Sequence, residues 1–418
     1  MAAAGHEGPI ERIVIVGGGP SGATLGARLA RAGREVVLFA RGKRPPIIVG
    51  ESLVPAIVPY LRELGIEDEV AGYSIRKEGA TFVFDRESRL DIRFDEVRRA
   101  RTTYSYNTPR DRFDASVLEA ARRAGVRVVE EACTLEREGD SDRIRLADAS
   151  LEASGLSAQP DFIVDAGGRS RNVIRLLDIP YIDGDRRDVA LHAHFEGIEV
   201  EIEGNVHTDR LGQGWSWRIP LPGRVSLGLV VDAQTARKFG DTAEEQLDNF
   251  LAQDPVIGDY ARPARRVTPV VRYSNYQSRS TRMTGANWAL VGDAGGFVDP
   301  VFSSGVAIAF QSADYLSQAL LDGRAKALAA YERKLTRLFG IWHTVIGLFY
   351  NGRLLTLFRV GQVVRETFPG RLVDWHFRRH MPKIFTGEDV GNFYSYRLVR
   401  FMSQYALAGN DPEELRIL

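Results

Sequence analysis

Lys77 stands in IRKEGATFVF as one of six lysines, against 49 arginines. Arginine is the ordinary cation of this chain, so a lysine just ahead of a glycine-containing strand is less easily ascribed to chance. An ammonium there can donate hydrogen bonds to a reacting group; a solvated loop lysine is the plain alternative. Trp215 and Trp217, in GWSWRIP, lie two apart on a strand-like segment and so share a face. Taken alone, they read as an aromatic pair in a sheet core. Ser304 and Gly305 stand just before the apolar run VAIAF, where a helix is expected from about Val306. The backbone N–H groups of that helix start form a pocket suited to a small anion. A serine N-cap is the other reading, and the two are compatible.

The elements that must position these residues begin with a βαβ unit. Ile13 to Val16 is a β-branched run, GGGPSG follows, and Leu25, Leu29 and Ala32 then recur at helical spacing before a second run, Val36 to Phe39. Gly17, Gly19 and Gly22 fill GxGxxG between the strand and the helix, which is the setting of a dinucleotide-binding loop. An acidic residue is expected at the end of the second strand to hold ribose hydroxyls. Phe39-Ala40-Arg41 stands there instead. Arg41 fits either an NADP 2′-phosphate or a contact to the ribose or phosphate of FAD, and later motifs decide for flavin. FIVDAGGRS (162–170) and WALVGDAGGFVDP (288–300) are two further strands that end in turns carrying Asp and Gly. Val225 to Val231 carries Gly228 but lacks the helix fingerprint of a second nucleotide site.

At about 150 residues per domain, 418 residues suggest two or three domains. The 55 basic and 55 acidic residues cancel, which argues against nucleic-acid binding. Cys133 is the single cysteine, so neither an internal disulfide nor a cysteine-rich metal site is expected. His192 and His194 share a face, but with no third ligand nearby they read as paired polar residues, and no metal is expected. Thr344 to Val360 is interrupted by Asn351, Gly352, Arg353 and Arg359. It reads as a buried helix pair, not as an integral membrane segment. The polar opening MAAAGHEGPIER has no signal-like apolar stretch, so a cytoplasmic location is expected.

The three strand-end segments together resemble the FAD-dependent aromatic monooxygenase superfamily. GWSWRIP resembles the WxWxIP signature of its flavin-dependent halogenases, and FVDPVFSSG resembles their FxxPxxSxG signature at Phe297, Pro300, Ser303 and Gly305. Lys77 matches the lysine of that family, and GESLVP (50–55) its segment beside the flavin. The resemblance covers roughly residues 10 to 350 and implies a Rossmann-like α/β FAD-binding domain of the aromatic hydroxylase (glutathione reductase-like) type. An antiparallel-sheet substrate domain is inserted in it, and a helical C-terminal region follows. The expected boundaries are 1–75, 108–175 and 268–325 for the FAD part, 76–107 and 176–267 for the substrate sheet, and 326–418 for the helices.

The resemblance further implies that FAD contacts Gly17, Gly19, Gly22, Arg41, Glu51, Arg110 (in PRDRFD), Gly292, Asp293 and Pro300. Chloride or bromide would sit at Ser304 and Gly305. A separate flavin reductase would supply reduced FAD, and hypohalous acid formed at the flavin would pass Trp215 and Trp217 to Lys77, which presents it to an aromatic ring. Tryptophan halogenases carry a glutamate two residues before the serine or threonine that precedes the final glycine of the late motif. Phe302 stands there, which resembles instead the halogenases of phenols and pyrroles, whose electron-rich substrates arrive free or tethered to a carrier protein. A flavin hydroxylase or dehydrogenase on the same scaffold, and a prenyl-type reductase, are the rival readings.

Overall fold

The computed structural model describes residues 10–42, 47–85, 88–97, 99–275, 277–364, 371, 375–376, 380–388, 393–407 and 409–418. The first nine residues of the polar opening lie outside them. Five short strands form a parallel sheet in the order Trp288–Leu290, Phe162–Asp165, Arg12–Val16, Glu35–Phe39 and Arg127–Val129. The central strands of this sheet are apolar on both faces because helices cover it; Ile13, Val14, Ile15 and Ile163 have no exposed surface. The helix Pro20–Arg31 follows the glycine loop and packs against the helices Arg110–Arg123 and Ser304–Asp322.

Parallel pairing brings the carboxyl ends of distant segments to one edge. Gly17 N–H donates to Phe39 O at 2.8 Å, Ala166 N–H to Val16 O at 2.8 Å, and Val291 N–H to Asp165 O at 3.0 Å. The three strand-end motifs of the sequence therefore meet above one sheet, as open α/β sheets place their ligand sites.

A second sheet of eight strands runs Arg265–Arg266, Asp188–Glu196, Arg224–Asp232, Trp215–Leu221, Val206–Arg210, Gly79–Val83 and Arg89–Arg93, with Val271–Asn275 also paired to Asp188–Glu196. Its pairs are antiparallel except Val206–Arg210 with Gly79–Val83, which is parallel. Alternation along Asp188–Glu196 divides its faces. Val189, Leu191, Ala193 and Phe195 join Leu247 and Phe250 in a core under the helix Ala243–Gln253, while Ala190, His192 and His194 face the other way. Strand Val271–Asn275 lies in the span expected for the FAD part, yet it pairs in this sheet, because its backbone completes the edge that Asp188–Glu196 leaves open. Lys77 also departs from the expected sheet: Ile75–Lys77 pairs only with Ser105–Asn107.

The helices Ala325–Tyr350 and Arg353–Val364 realise the expected buried pair, turning at Asn351 and Gly352. Gly352 has φ +74° and touches Pro412 O, so the turn has no room for a side chain. Among the described residues, no helix is long and apolar enough to cross a membrane. The same residues contain no cluster of metal-binding side chains.

Candidate active site

A cavity of about 260 Å³ lies between the two sheets. Its wall carries Gly19, Glu51, Ser52, Arg110, Trp215, Trp217, Asp293, Pro300 and Gly305, so most of the residues singled out in the sequence are brought together. Beneath them the glycine loop is packed tightly. A Cβ on Gly17 (φ +122°) would fall 2.2 Å from Ala166 O, and one on Gly22 would fall 2.0 Å from Gly17 O. Gly19 is different: nothing lies within 4 Å of where its Cβ would be, so a ligand's phosphates can approach the backbone there. Gly292 (φ +60°) packs on Ser21, below the wall.

Asp293 faces the cavity near the guanidinium groups of Arg169 and Arg110. Burial outweighs those two charges and pushes its carboxyl pKa up to about 6. An acceptor so placed suits ligand hydroxyls. Arg110 begins its helix and is held by Asp114 (Nε–Oδ1 3.0 Å) and by Val49 O at 2.7 Å. Glu51 is buried and paired through Oε1 with His194 Nε2 at 2.8 Å. An open cradle at Gly19, a cavity-facing carboxylate at Asp293 and a fixed cation at Arg110 fit a flavin dinucleotide. Arg41 does not join them: it is exposed and lies off the cavity wall.

Trp215 and Trp217 point to one face, as their spacing requires, with ring centroids 5.8 Å apart. Trp217 fits because Gly228 is its partner across the strand pair; a Cβ there would lie 2.0 Å from the indole. Gly228 therefore serves the tryptophan wall and no second nucleotide loop. His192 stacks on Tyr273 and meets Trp217 at a tilt, both at 5.7 Å, and burial lowers its pKa to about 4, so it stays a neutral ring.

The late helix starts at Ser304, two residues earlier than expected. Its N-cap, Ser303, has φ +54° and makes no side-chain capping bond, so the serine-cap reading is wrong. Asp299 caps the preceding turn Pro300–Phe302 by accepting from Val301 N–H at 3.0 Å. The first N–H groups of a helix have no intrahelical acceptor. Gly305 brings them to the cavity wall, whereas the Ser304 side chain is wholly buried behind it.

Lys77 is almost fully buried and does not line the cavity. Its Nζ donates to Ser52 Oγ at 2.8 Å and Leu53 O at 3.0 Å, and lies 5.6 Å from the Phe94 ring centroid. Desolvation lowers its pKa to about 7. Sequence reasoning missed Ser52 as its partner. It also missed Tyr350, whose hydroxyl accepts from Trp215 Nε1 at 2.9 Å. Neither signal is local, since both pairs are far apart in the chain.

A family model described as tryptophan halogenase matches residues 12–88 and 74–356. The chain belongs to this family of flavin-dependent halogenases. It is 30% identical over 374 residues to a tryptophan 2-halogenase of Chondromyces crocatus, covering 84% of this chain and 70% of that one. It is 26% identical over 377 residues to a 1H-pyrrole-2-carbonyl-(peptidyl-carrier protein) chlorinase of Pseudomonas fluorescens, with 82% and 84% covered. The solved myxobacterial chondrochloren halogenase, a variant of the FAD-dependent halogenases, superposes with a TM-score of 0.73 at 26% identity over 98% of this chain and 96% of that one. This halogenase is thus an FAD enzyme that uses a halide, on the expected α/β scaffold with its inserted sheet and helical C-terminal region. The printed substrates of its relatives differ, so family membership alone does not choose among arenes.

Proposed function

We propose that the enzyme halogenates an electron-rich aromatic ring of phenol or pyrrole type by delivering hypohalous acid through Lys77. The observation that carries this reading is the Lys77–Ser52 hydrogen bond: a buried ammonium sits one side chain behind the cavity wall. FAD, when bound in its reduced form, would supply two of the four electrons that dioxygen takes up, the halide giving the other two. Gly19, Arg110 and Asp293 would hold that cofactor, and a separate flavin reductase would supply it reduced.

The chain's own residues do the rest. The N–H groups at Gly305 offer a small anion a dipole on the cavity wall that also carries Arg110. Trp215 and Trp217 keep bulk water from the path, where electrostatic contacts are then stronger. Lys77, when protonated, donates to the oxidant and orients it toward the ring. Phe302 supports the substrate class. Its ring packs on Phe385 (5.1 Å), Phe349 (5.7 Å) and Phe82 (6.2 Å), with no carboxylate among these partners to assist a poorly nucleophilic ring. An electron-rich ring needs no such help. The chlorinase relative supports a carrier-tethered substrate as one form of this class.

The purified enzyme, given reduced FAD, oxygen and bromide, should convert phenol or pyrrole-2-carboxamide to a brominated product seen by mass spectrometry. A hydroxylated product formed without regard to halide would establish the hydroxylase reading instead.

A further inference from the structure

Trp215 is 1% exposed, and an indole N–H buried so deeply requires a partner. The partner is Tyr350, the last residue of the helix Ala325–Tyr350. Tyr350 accepts from Trp215 Nε1 at 2.9 Å and donates its own proton to Asp299 Oδ2 at 2.7 Å. The other carboxylate oxygen, Asp299 Oδ1, accepts from Val301 N–H at 3.0 Å and so fixes the turn that leads into the Ser304–Asp322 helix. One hydroxyl thus bridges the tryptophan strand and the turn that precedes the anion-facing N–H groups of the helix, although the two lie about 80 residues apart in the sequence.

Tyr350 is itself held on several sides. Arg186 stacks over its ring at 4.0 Å and is paired through Nε and Nη2 with the buried Asp188 at 2.6 and 2.9 Å. Phe349 meets it edge-on at 5.6 Å, and Tyr350 O accepts from Ile417 N–H at 2.9 Å. Burial beside Asp299 keeps the phenol protonated, which leaves it a donor to the carboxylate.

We infer that Tyr350 is a positioning residue that sets Trp215 against the Asp299–Phe302 turn and thereby couples oxidant formation to halogen transfer. The inference rests on the halogenase reading above. Coupled turnover takes reduced FAD, dioxygen, halide and one proton to oxidised FAD, hypohalous acid and water; the arene then exchanges a ring proton for halogen and releases water. If the wall and the turn separate, halide no longer intercepts the oxidant. Reduced FAD and dioxygen then give oxidised FAD and hydrogen peroxide.

Tyr350→Phe keeps the ring and removes only the bridge. With reduced FAD, oxygen, bromide and phenol, bromophenol formed per FAD oxidised should fall at least about fivefold, since the hydroxyl makes one bond to the indole and a stronger one to a carboxylate. Hydrogen peroxide should rise correspondingly, and the bromide KM should rise while FAD affinity barely moves; the melting temperature should drop by a few degrees, because two buried polar groups lose their partner. Trp215→Phe should lose coupling in the same way, and the double variant should lose no more than the worse single one. In the FAD-free protein, the indole N–H resonance of Trp215, assigned by its absence in Trp215→Phe, should exchange slowly in wild type and fast in Tyr350→Phe. An unchanged product ratio and bromide KM beside an altered indole signal would overturn the inference and leave a merely structural bond. An unaltered indole signal would show that the bridge itself is absent. If the wild type makes no bromophenol, the proposed activity has failed, whatever the indole signal shows of the bridge.

Discussion

Lys77 Nζ donates to Ser52 Oγ at 2.8 Å, and Ser52 lines the cavity next to Glu51 while the lysine does not. The amine is thus within one side chain of the cavity and still wholly inside the protein. Burial brings its pKa down to about 7, well below that of a free lysine. Between about pH 7 and pH 10 the unfolded chain binds a proton on this amine that the folded chain has released, so stability rises with pH across that window. Below about pH 7 both states are protonated and the cost of the buried charge is fully felt. Lys77→Met should therefore be more stable than wild type at pH 6.5, by an amount on the order of 4 kcal/mol that shrinks toward pH 10. Urea unfolding at several pH values measures the difference.

Gly19 and Gly22 should respond oppositely to alanine. A Cβ at Gly22 meets Gly17 O at 2.0 Å, a backbone atom of the same loop that cannot yield, with Ala166 Cβ at 3.0 Å beside it. Gly22→Ala is expected to lose several kcal/mol or fail to fold, the usual outcome of overpacking at a strained loop. Gly19→Ala has open space and should melt like wild type, yet bind FAD at least about tenfold more weakly because its methyl occupies the approach to the backbone. Thermal melts and quenching of FAD fluorescence separate the two.

Asp293 should govern the pH dependence of FAD binding. Its carboxyl pKa, raised to about 6 by burial, means that the stronger acceptor exists only above that pH. Affinity should fall as the pH drops through about 6. Asp293→Asn should bind about 10- to 100-fold more weakly at pH 8 and show no such step, since bonds to a charged acceptor are the stronger ones. FAD titrations from pH 5 to pH 8 test both statements.

Phe302 should not accept a glutamate. Its side chain is 4% exposed among Phe82, Phe385, Phe349 and Trp342. A carboxylate there has no charged partner among these rings. Phe302→Glu should cost about 3–5 kcal/mol, against less than about 2 kcal/mol for Phe302→Leu. Denaturant curves for the two variants give the comparison.

The glycine loop was legible in the sequence because its spacing and flanking periodicity encode a backbone shape that local sterics alone demand. Gly17 and Gly22 sit where any side chain would strike Ala166 O or Gly17 O. The shared face of Trp215 and Trp217 was legible for the same local reason, the period of a strand. Partners across the fold were not. Tyr350 reaches Trp215, and Ser52 reaches Lys77, only because of which strand and helix ends converge, and periodicity names a face without naming what covers it. The edge strand Val271–Asn275 was misplaced for a similar cause: its pairing with Asp188–Glu196 leaves no mark in either segment alone. Arg41 was attractive by position in the βαβ unit, but its side chain points to solvent, off the cavity wall.

Lys77→Ala tests the central claim most directly. Wild type and variant are each given equal reduced FAD, oxygen, bromide and phenol, and bromophenol and hydrogen peroxide are counted against FAD oxidised. The expected result is loss of bromophenol by about 100-fold or more, the effect of removing a preorganised donor, with FAD oxidation and peroxide formation continuing. Bromophenol at the wild-type ratio in the Lys77→Ala enzyme would contradict delivery of the halogen through this lysine.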